Sequence, residues 1–159
     1  PVYLQNGETD RALAEAKAAV RAAPIEPGST ALLGSARLAK NDAEGAQRAF
    51  LVAGQMGWRA PLTQIYWMQQ AVAVGDYPVA AMRADALLRQ QPWLIDEPNV
   101  LAPIESQPAG RAALAYRLLA APPWLGQYAG KSAEQPLNVI LGRAEVLLAA
   151  GAIGSPATP

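Results

Sequence analysis

The stretch GDYPVAAMRADALLRQQP, residues 75–92, has two counterparts upstream, each displaced by 34 residues. They are GETDRALAEAKAAVRAAP at 7–24 and NDAEGAQRAFLVAGQMGW at 41–58. The columns that agree in this register are Gly7/Asn41/Gly75, Glu8/Asp42/Asp76, Ala12/Ala46/Ala80, Ala16/Phe50/Ala84, Ala19/Ala53/Leu87 and Pro24/Trp58/Pro92. A fixed period of this length is typical of repeat proteins, in which stacked units share a continuous core.

Each column has a physical role if the stretch forms a helix. The acidic column precedes the helical run, where a carboxylate caps free N–H groups, and Pro78 then falls in the first turn. The first alanine column permits close helix packing, and the next two columns extend the same apolar face. Two acid–base pairs, Glu44 with Arg48 and Asp85 with Arg89, have the i,i+4 spacing of an exposed helix surface.

This pattern resembles the tetratricopeptide repeat (TPR) family. Tyr3 matches the aromatic residue of a first helix, Leu33 and Gly34 match the Leu-Gly pair, and Trp67 takes the large apolar position. The chain departs from the family at Met68, where a small residue is usual, and at Trp58, which replaces the closing proline. The resemblance implies an all-α fold, a right-handed superhelical solenoid of antiparallel helix hairpins.

The repeat register predicts the domain organisation. TPR-like repeats are expected over 1–94, with a half unit at 1–26 and full units at 27–60 and 61–94. Since Tyr3 falls late in a first helix, we expect a fragment of a longer array.

The period fails after Pro92. The segment 92–108 contains four prolines and predicts an irregular, extended connection. Helices are expected at 109–121 and 137–151, with a loop between them. They would form a divergent C-terminal cap over 95–151, and 152–159 would be a flexible tail.

Composition narrows the function. Hydrophobic residues make up 52% of the 159-residue chain, which contains 35 alanines, 13 basic and 13 acidic residues, and neither cysteine nor histidine. The charge balance argues against nucleic-acid binding and a polybasic membrane anchor, and no apolar run is long enough to span a bilayer. Disulfides, His- or Cys-based zinc sites and His-based triads are excluded. No cofactor or metal is expected, and both a cytoplasmic and a periplasmic location are compatible.

A catalytic interpretation has only loop carboxylates to draw on. Asp96 and Glu97 are adjacent and Glu105 is nearby, which could form an acid–base pair. Adjacent residues in an extended segment point apart, so a solvated loop is the alternative, and we predict that the chain is not an enzyme.

The resemblance implies that the first helix of each pair lines a concave groove for a protein or peptide partner. The residues it places there are Ala31, Ser35, Leu38, Leu62, Ile65, Gln69 and Val72. The charges of the carboxylate-clamping TPR proteins are missing from these positions, so the groove would suit an apolar or helical segment. Two alternatives stay open: the C-terminal segment fills the groove, or the chain self-associates through its exposed N-terminal end as a homo-oligomer.

Aromatic residues offer two further candidates. Trp58 and Trp67 could form an interaction surface, but core packing is favoured at their positions in the repeat. The stretch APPWLGQY, 121–128, could mimic a proline-rich ligand, and a helix stop is the favoured alternative.

Overall fold

The computed structural model describes residues 2–130 and 135–154, and this part of the chain is helical without a strand. An all-α fold is therefore confirmed. The helices are α1 (Val2–Gln5), α2 (Thr9–Ala22), α3 (Pro27–Ala39), α4 (Ala43–Gln55), α5 (Pro61–Ala73), α6 (Tyr77–Leu88), α7 (Ala102–Glu105), α8 (Pro108–Leu118), α9 (Leu125–Gly130) and α10 (Leu137–Gly154). A 3₁₀ helix spans Pro92–Asp96.

The helices follow the 34-residue register. Helices α2, α4 and α6 begin at Thr9, Ala43 and Tyr77, and helices α3 and α5 begin at Pro27 and Pro61. Each step is 34 residues, so the sequence columns correspond to equivalent positions on successive helices. Whether these helices build the predicted superhelix stays a prediction.

The Gly/Asn column has a backbone reason. Gly7, Asn41 and Gly75 all adopt positive φ, at 75°, 58° and 75°. In each turn the next residue's N–H donates to a carbonyl five residues back, as from Asp42 to Arg37 (2.9 Å) and from Asp76 to Ala71 (2.8 Å). This is the Schellman ending of a helix, and it selects residues that tolerate the left-handed conformation.

The acidic column caps two of its three helices. The side chain of Asp42 accepts from the Gly45 N–H at 2.9 Å, and that of Asp76 accepts from the Val79 N–H at 3.2 Å. The prediction is wrong for Glu8, whose side chain makes no cap hydrogen bond and instead pairs with Arg11. A glutamate can cap a helix in this chain, since the Glu26 carboxylate accepts from the Gly28 and Ser29 N–H groups at the start of α3.

The first compact unit extends to Tyr66. In it, α3 packs against both α2 and α4. A Cβ atom on Gly34 would lie 2.7 Å from the Phe50 ring, so this position requires glycine. The other side of the Phe50 ring stacks on Tyr66, with centroids 4.1 Å apart. The Leu-Gly pair of the first helix thus has a packing function.

The second unit begins at Trp67, so the division between the two units lies inside α5. The physical reason is that α6 packs against α8, which joins the last predicted repeat to the C-terminal helices. Helix α8 packs in turn against α10.

The proline-rich segment is not extended. It contains the 3₁₀ helix and α7, and it buries Ile95, Val100, Leu101 and Ile104. Prolines occupy first-turn positions in these short helices, where a missing N–H has little cost. The expected loop after α8 likewise contains α9, whose Tyr128 is fully buried.

Two helices end at positions other than those predicted. Helix α8 stops at Leu118, three residues before the predicted end at 121, where Ala121 has a φ of 44°. Helix α10 continues past Gly151 to Gly154, so the start of the predicted tail is helical. Residues 155–159 of that tail lie outside the described part of the chain.

Candidate functional site

The N-terminal unit contains an open cavity of about 510 Å³ between α1, α2 and α3, here called the N-terminal groove. Its lining includes Val2 and Leu4 of α1, Ala16 and Ala19 of α2, and Leu32 and Ala36 of α3. Tyr3, Ala12 and Glu15 complete the lining, so the walls are mostly apolar. Clefts of this volume and chemistry are typical of ligand sites.

The repeat register relates the walls of this groove to the second unit of the repeat. Val2 is equivalent to Ala36, so α1 matches only the last turn of α3, and positions 27–35 of that helix have no counterpart among the described residues. On α4, Ala49 and Ala53 are buried, whereas their α2 equivalents, Glu15 and Ala19, are exposed and half-buried. The face of α2 is the less completely covered of the two.

A side-chain difference enlarges the groove. The α2 residue equivalent to Phe50 is Ala16, so the ring that fills the α3–α4 contact is replaced by a methyl group. In the α3–α4 pair, that ring leaves room only for a glycine opposite it. The groove can therefore accept a large side chain where the second repeat accepts none.

Charge is confined to the rim. Glu15 is the one charged residue in the groove lining. Nearby, the Arg11 guanidinium lies 4.4 Å from the centre of the Tyr3 ring and pairs with Glu8 at 3.4 Å. This arrangement suits an apolar ligand face with a basic group at its edge.

The residues predicted to line a concave groove lie in both units. Ala31 is fully buried, so the prediction that it contacts a partner is wrong: its side chain faces the helix packing. Leu38 is 42% exposed and Gln69 is exposed. Partly exposed are Ser35, Leu62, Ile65 and Val72. Ser35 also donates to the Ala31 carbonyl at 3.2 Å, a bond within its own helix.

Sequence reasoning missed Leu32 and Ala36, the α3 residues that line the N-terminal groove. It assigned the partner-facing side of α3 to Ala31, Ser35 and Leu38. Of these, Ala31 and Ser35 directly precede the lining residues Leu32 and Ala36 in the sequence. The available signal was the apolar character of Leu32 and Ala36, which lie four residues apart and so on one side of α3.

A buried carboxylate organises the second unit. Asp85 is 3% exposed and accepts hydrogen bonds from Arg89, Arg117 and Trp124, each at 2.9 Å. Burial alone would raise the pKa of Asp85, but these bonds outweigh burial and hold it below its ordinary value. The i,i+4 pair with Arg89 exists, but the expectation that it lies on an exposed surface is wrong for Asp85.

The loop carboxylates border a second cavity, of about 220 Å³, lined by Asp96, Glu97 and Glu105 together with Arg143. Arg143 is 2% exposed. It donates to Glu105 and to the Ile95 carbonyl, both at 3.2 Å, and its guanidinium lies 5.0 Å from the centre of the Tyr128 ring. The Glu105 carboxylate is therefore held in a structural ion pair.

Burial also governs the neighbouring phenol. The pKa of Tyr128 is raised well above its ordinary value, chiefly by burial and further by Glu105. A tyrosine in this state is a neutral hydrogen-bonding group. Its environment and the ion pair beside it indicate a packing role for the cluster.

The aromatic residues considered as interaction candidates differ in how far their side chains are buried. Trp58, expected in the core, is 41% exposed, and Trp67 is half-buried. Trp124 is fully buried with its N–H on Asp85, so APPWLGQY cannot present it as a ligand.

Within the described residues, no cluster of acidic side chains has an arrangement that could hold a metal ion. None of the helices in that part combines the length and hydropathy of a membrane span. Comparison with models of protein families, with curated proteins and with solved structures gave no match.

Proposed function

We propose that this chain is a non-catalytic interaction module of TPR-like repeats that binds an apolar helical segment of another protein. One observation carries the proposal: the described residues of the first unit form an apolar groove of about 510 Å³ between α1, α2 and α3. The equal 34-residue spacing of the helix starts supports the TPR-like assignment.

The second repeat indicates the chemistry of the ligand. Its α4 face is packed against a helix, and the groove is closed at one end by the single turn α1. A helical ligand presenting leucines at three- and four-residue spacing would place large side chains beside Ala16. A lysine near Glu15 would complete the rim.

The groove predicted from the resemblance is a second candidate surface for the same function. Within the second unit, exposure of Gln69 favours it, because this side chain is accessible to a partner. The double variant Gln69→Arg with Val72→Glu would abolish binding at this surface, since it introduces two charges into an apolar region.

A synthetic amphipathic peptide of leucine, alanine and lysine tests the proposal by fluorescence anisotropy. We expect saturable binding to the wild-type chain. Ala16→Phe, which places in α2 the ring that α4 has at Phe50, should weaken it at least about tenfold, a loss of roughly 1.4 kcal/mol. Leu51→Glu, at an exposed α4 position outside the lining, is the matched control and should bind normally.

The variants separate the two surfaces. If Ala16→Phe binds as the wild type does while Gln69→Arg with Val72→Glu loses the peptide, the binding site is the second surface and the N-terminal groove is not. If neither variant loses binding, the peptide is held elsewhere and the proposal is wrong for both.

A further inference from the structure

The cavity of about 220 Å³ in the second unit, here called the Arg143 cavity, has a polar and an apolar side. The polar lining includes the carboxylates of Asp96, Glu97 and Glu105 and the guanidinium of Arg143. The apolar lining includes Val139 and two prolines. Three carboxylates against one guanidinium favour a ligand that carries positive charge.

The buried side chain of Arg143 has one nitrogen whose N–H groups lack an acceptor. Its Nε donates to Glu105 and its Nη2 to the Ile95 carbonyl, both at 3.2 Å. Among the described residues, Nη1 has no hydrogen-bond acceptor. The Asp96 carboxylate, which also lines the cavity, is 3.8 Å from Nη1, beyond hydrogen-bond distance. Because a buried donor without an acceptor is costly, a ligand oxygen that accepts from Nη1 would be stabilised there.

We propose that the Arg143 cavity binds the N-terminus of a peptide, that is, an α-ammonium group with an adjacent carbonyl oxygen. The carbonyl oxygen accepts from Arg143 Nη1, and the ammonium group donates to the carboxylates of Asp96 and Glu97. A carboxylate has about four acceptor positions, so Asp96 can accept from a ligand as well as from Gln135. The inference goes beyond the proposed function, since the site belongs to the second unit and does not involve the N-terminal groove.

The lining distinguishes this group from related ligands. A simple amine has no oxygen that could accept from Arg143 Nη1. A free amino acid has such an oxygen, but its carboxylate would bring a negative charge beside Asp96, Glu97 and Glu105. A peptide N-terminus carries the positive charge and the carbonyl oxygen without a second charge.

A neighbouring cavity provides space for the next residue of such a peptide. This cavity, of about 200 Å³, shares Ala102, Glu105 and Val139 with the Arg143 cavity and is also lined by Ser106 and Asn138. The side-chain amide of Asn138 can both donate and accept, which matches the chemistry of a peptide group. A chain that begins at Arg143 can therefore continue along α7 and α10.

Small probes test the ligand chemistry on the unaltered chain. NMR titration of the ¹⁵N-labelled protein measures their binding and its location, and alaninamide should shift the backbone signals of Ala102, Glu105 and Val139. N-acetylalaninamide lacks the charge and ethylamine lacks the carbonyl, so each should bind at least about tenfold more weakly. Alanine, with its carboxylate, should also bind more weakly. Alanylalaninamide, which reaches the neighbouring cavity, should bind more tightly than alaninamide.

Two variants test the location without touching the ion pair of Arg143. Ala102 is the exposed first residue of α7 and lines both cavities, so Ala102→Leu should fill them and weaken alaninamide binding at least about tenfold. Ala109→Leu, at an exposed position in α8 outside both linings, is the matched control and should bind as the wild type does. Circular dichroism and thermal melting would verify that both variants fold.

A third variant tests the charge. Glu97→Gln, at an exposed position, should weaken the binding of alaninamide by about threefold and leave that of N-acetylalaninamide unchanged. Equal effects on the two probes would mean that this carboxylate does not contact the ammonium group.

Several results would overturn the inference. Alaninamide could leave the cavity signals unchanged, in which case solvent alone satisfies Arg143 Nη1. N-acetylalaninamide, ethylamine or alanine could bind as tightly as alaninamide, or alanylalaninamide no more tightly, and the cavity would not recognise a peptide N-terminus. Ala102→Leu could bind as the wild type does, which would place the site elsewhere. None of these results affects the leucine–lysine peptide assay, so the two proposals fail independently.

Discussion

At the scale of single residues, two acids in one column differ in effect because Asp76 caps its helix and Glu8 does not. We expect Asp76→Ala to lower the free energy of unfolding by about 1 kcal/mol, since the Val79 N–H loses its cap. Glu8→Ala, at the equivalent position without a cap bond, should change it by only a few tenths. Urea denaturation measures both. Equal losses would contradict the assignment of the cap.

A pH dependence is expected from Asp85, whose pKa lies below its ordinary value. A carboxyl group with a lowered pKa stabilises the fold above the unfolded-state pKa of about 4, and this contribution is lost as the pH falls through the folded-state pKa. Asp85→Asn should therefore be less stable than the wild type at pH 7, by roughly 2 kcal/mol because Arg117 and Arg89 lose their partner.

The stability difference between the wild type and Asp85→Asn should shrink as the pH falls below about 4, where the wild-type carboxyl also becomes neutral. Urea titrations across this range would measure it. Glu44→Gln, which removes an exposed pair with Arg48, is the control and should show little difference at any pH. A difference for Asp85→Asn that stays constant in acid would contradict this role.

At the scale of helix pairs, the contact between α3 and α4 depends on the absence of one methyl group. Gly34→Ala should destabilise the chain by roughly 1–3 kcal/mol, because the new Cβ would overlap the Phe50 ring. In the double variant with Phe50→Leu, the two losses should be less than additive, since the smaller side chain leaves room. Denaturant unfolding of the wild type, the two single variants and the double variant measures the coupling between Gly34 and Phe50. Strict additivity would mean that the ring is not the obstacle.

The sequence predicted some elements and missed others for a definable reason. Helices α2 to α6 follow columns of caps, small residues and left-handed turns, all of which are local. Beyond Pro92 the decisive contacts are distant in sequence: Trp124 and Arg117 reach Asp85 across 39 and 32 residues, and Arg143 reaches Glu105 across 38. Local patterns cannot show such pairs, so the i,i+4 spacing alone predicts a surface position for Asp85.

The candidate site was predictable only in part. The repeat register placed helices at the positions of α2 and α3, and the groove lies between them and α1. The α3 residues that line the groove, Leu32 and Ala36, are each one position beyond the predicted Ala31 and Ser35. Local patterns do not fix the rotation of α3 about its axis, whereas contacts such as that of Gly34 with Phe50 do. Ala31 was consequently placed on the partner side although it is fully buried.

At the scale of the whole molecule, an open groove has a cost in stability. Ala16→Phe should raise the free energy of unfolding by about 1 kcal/mol, because the ring would bury apolar surface that is now open, at roughly 25 cal/mol per Å². The same variant should lose the leucine–lysine peptide. Thermal melting together with the anisotropy assay would show whether this variant gains stability while it loses peptide binding. A variant both less stable and unable to bind would show only that the core is damaged.

The turns at Gly7, Asn41 and Gly75 also limit how this chain can change in length. Each turn joins a left-handed Gly or Asn to an acid, so a tandem duplication of residues 42–75 would create the junction Gly75–Asp42. That junction has the chemistry already present at Gly75–Asp76. The helix ending, the cap and the register would all be retained. An insertion of any other length would separate a helix from its stop signal, so lengthening by whole repeats is the change that this architecture tolerates.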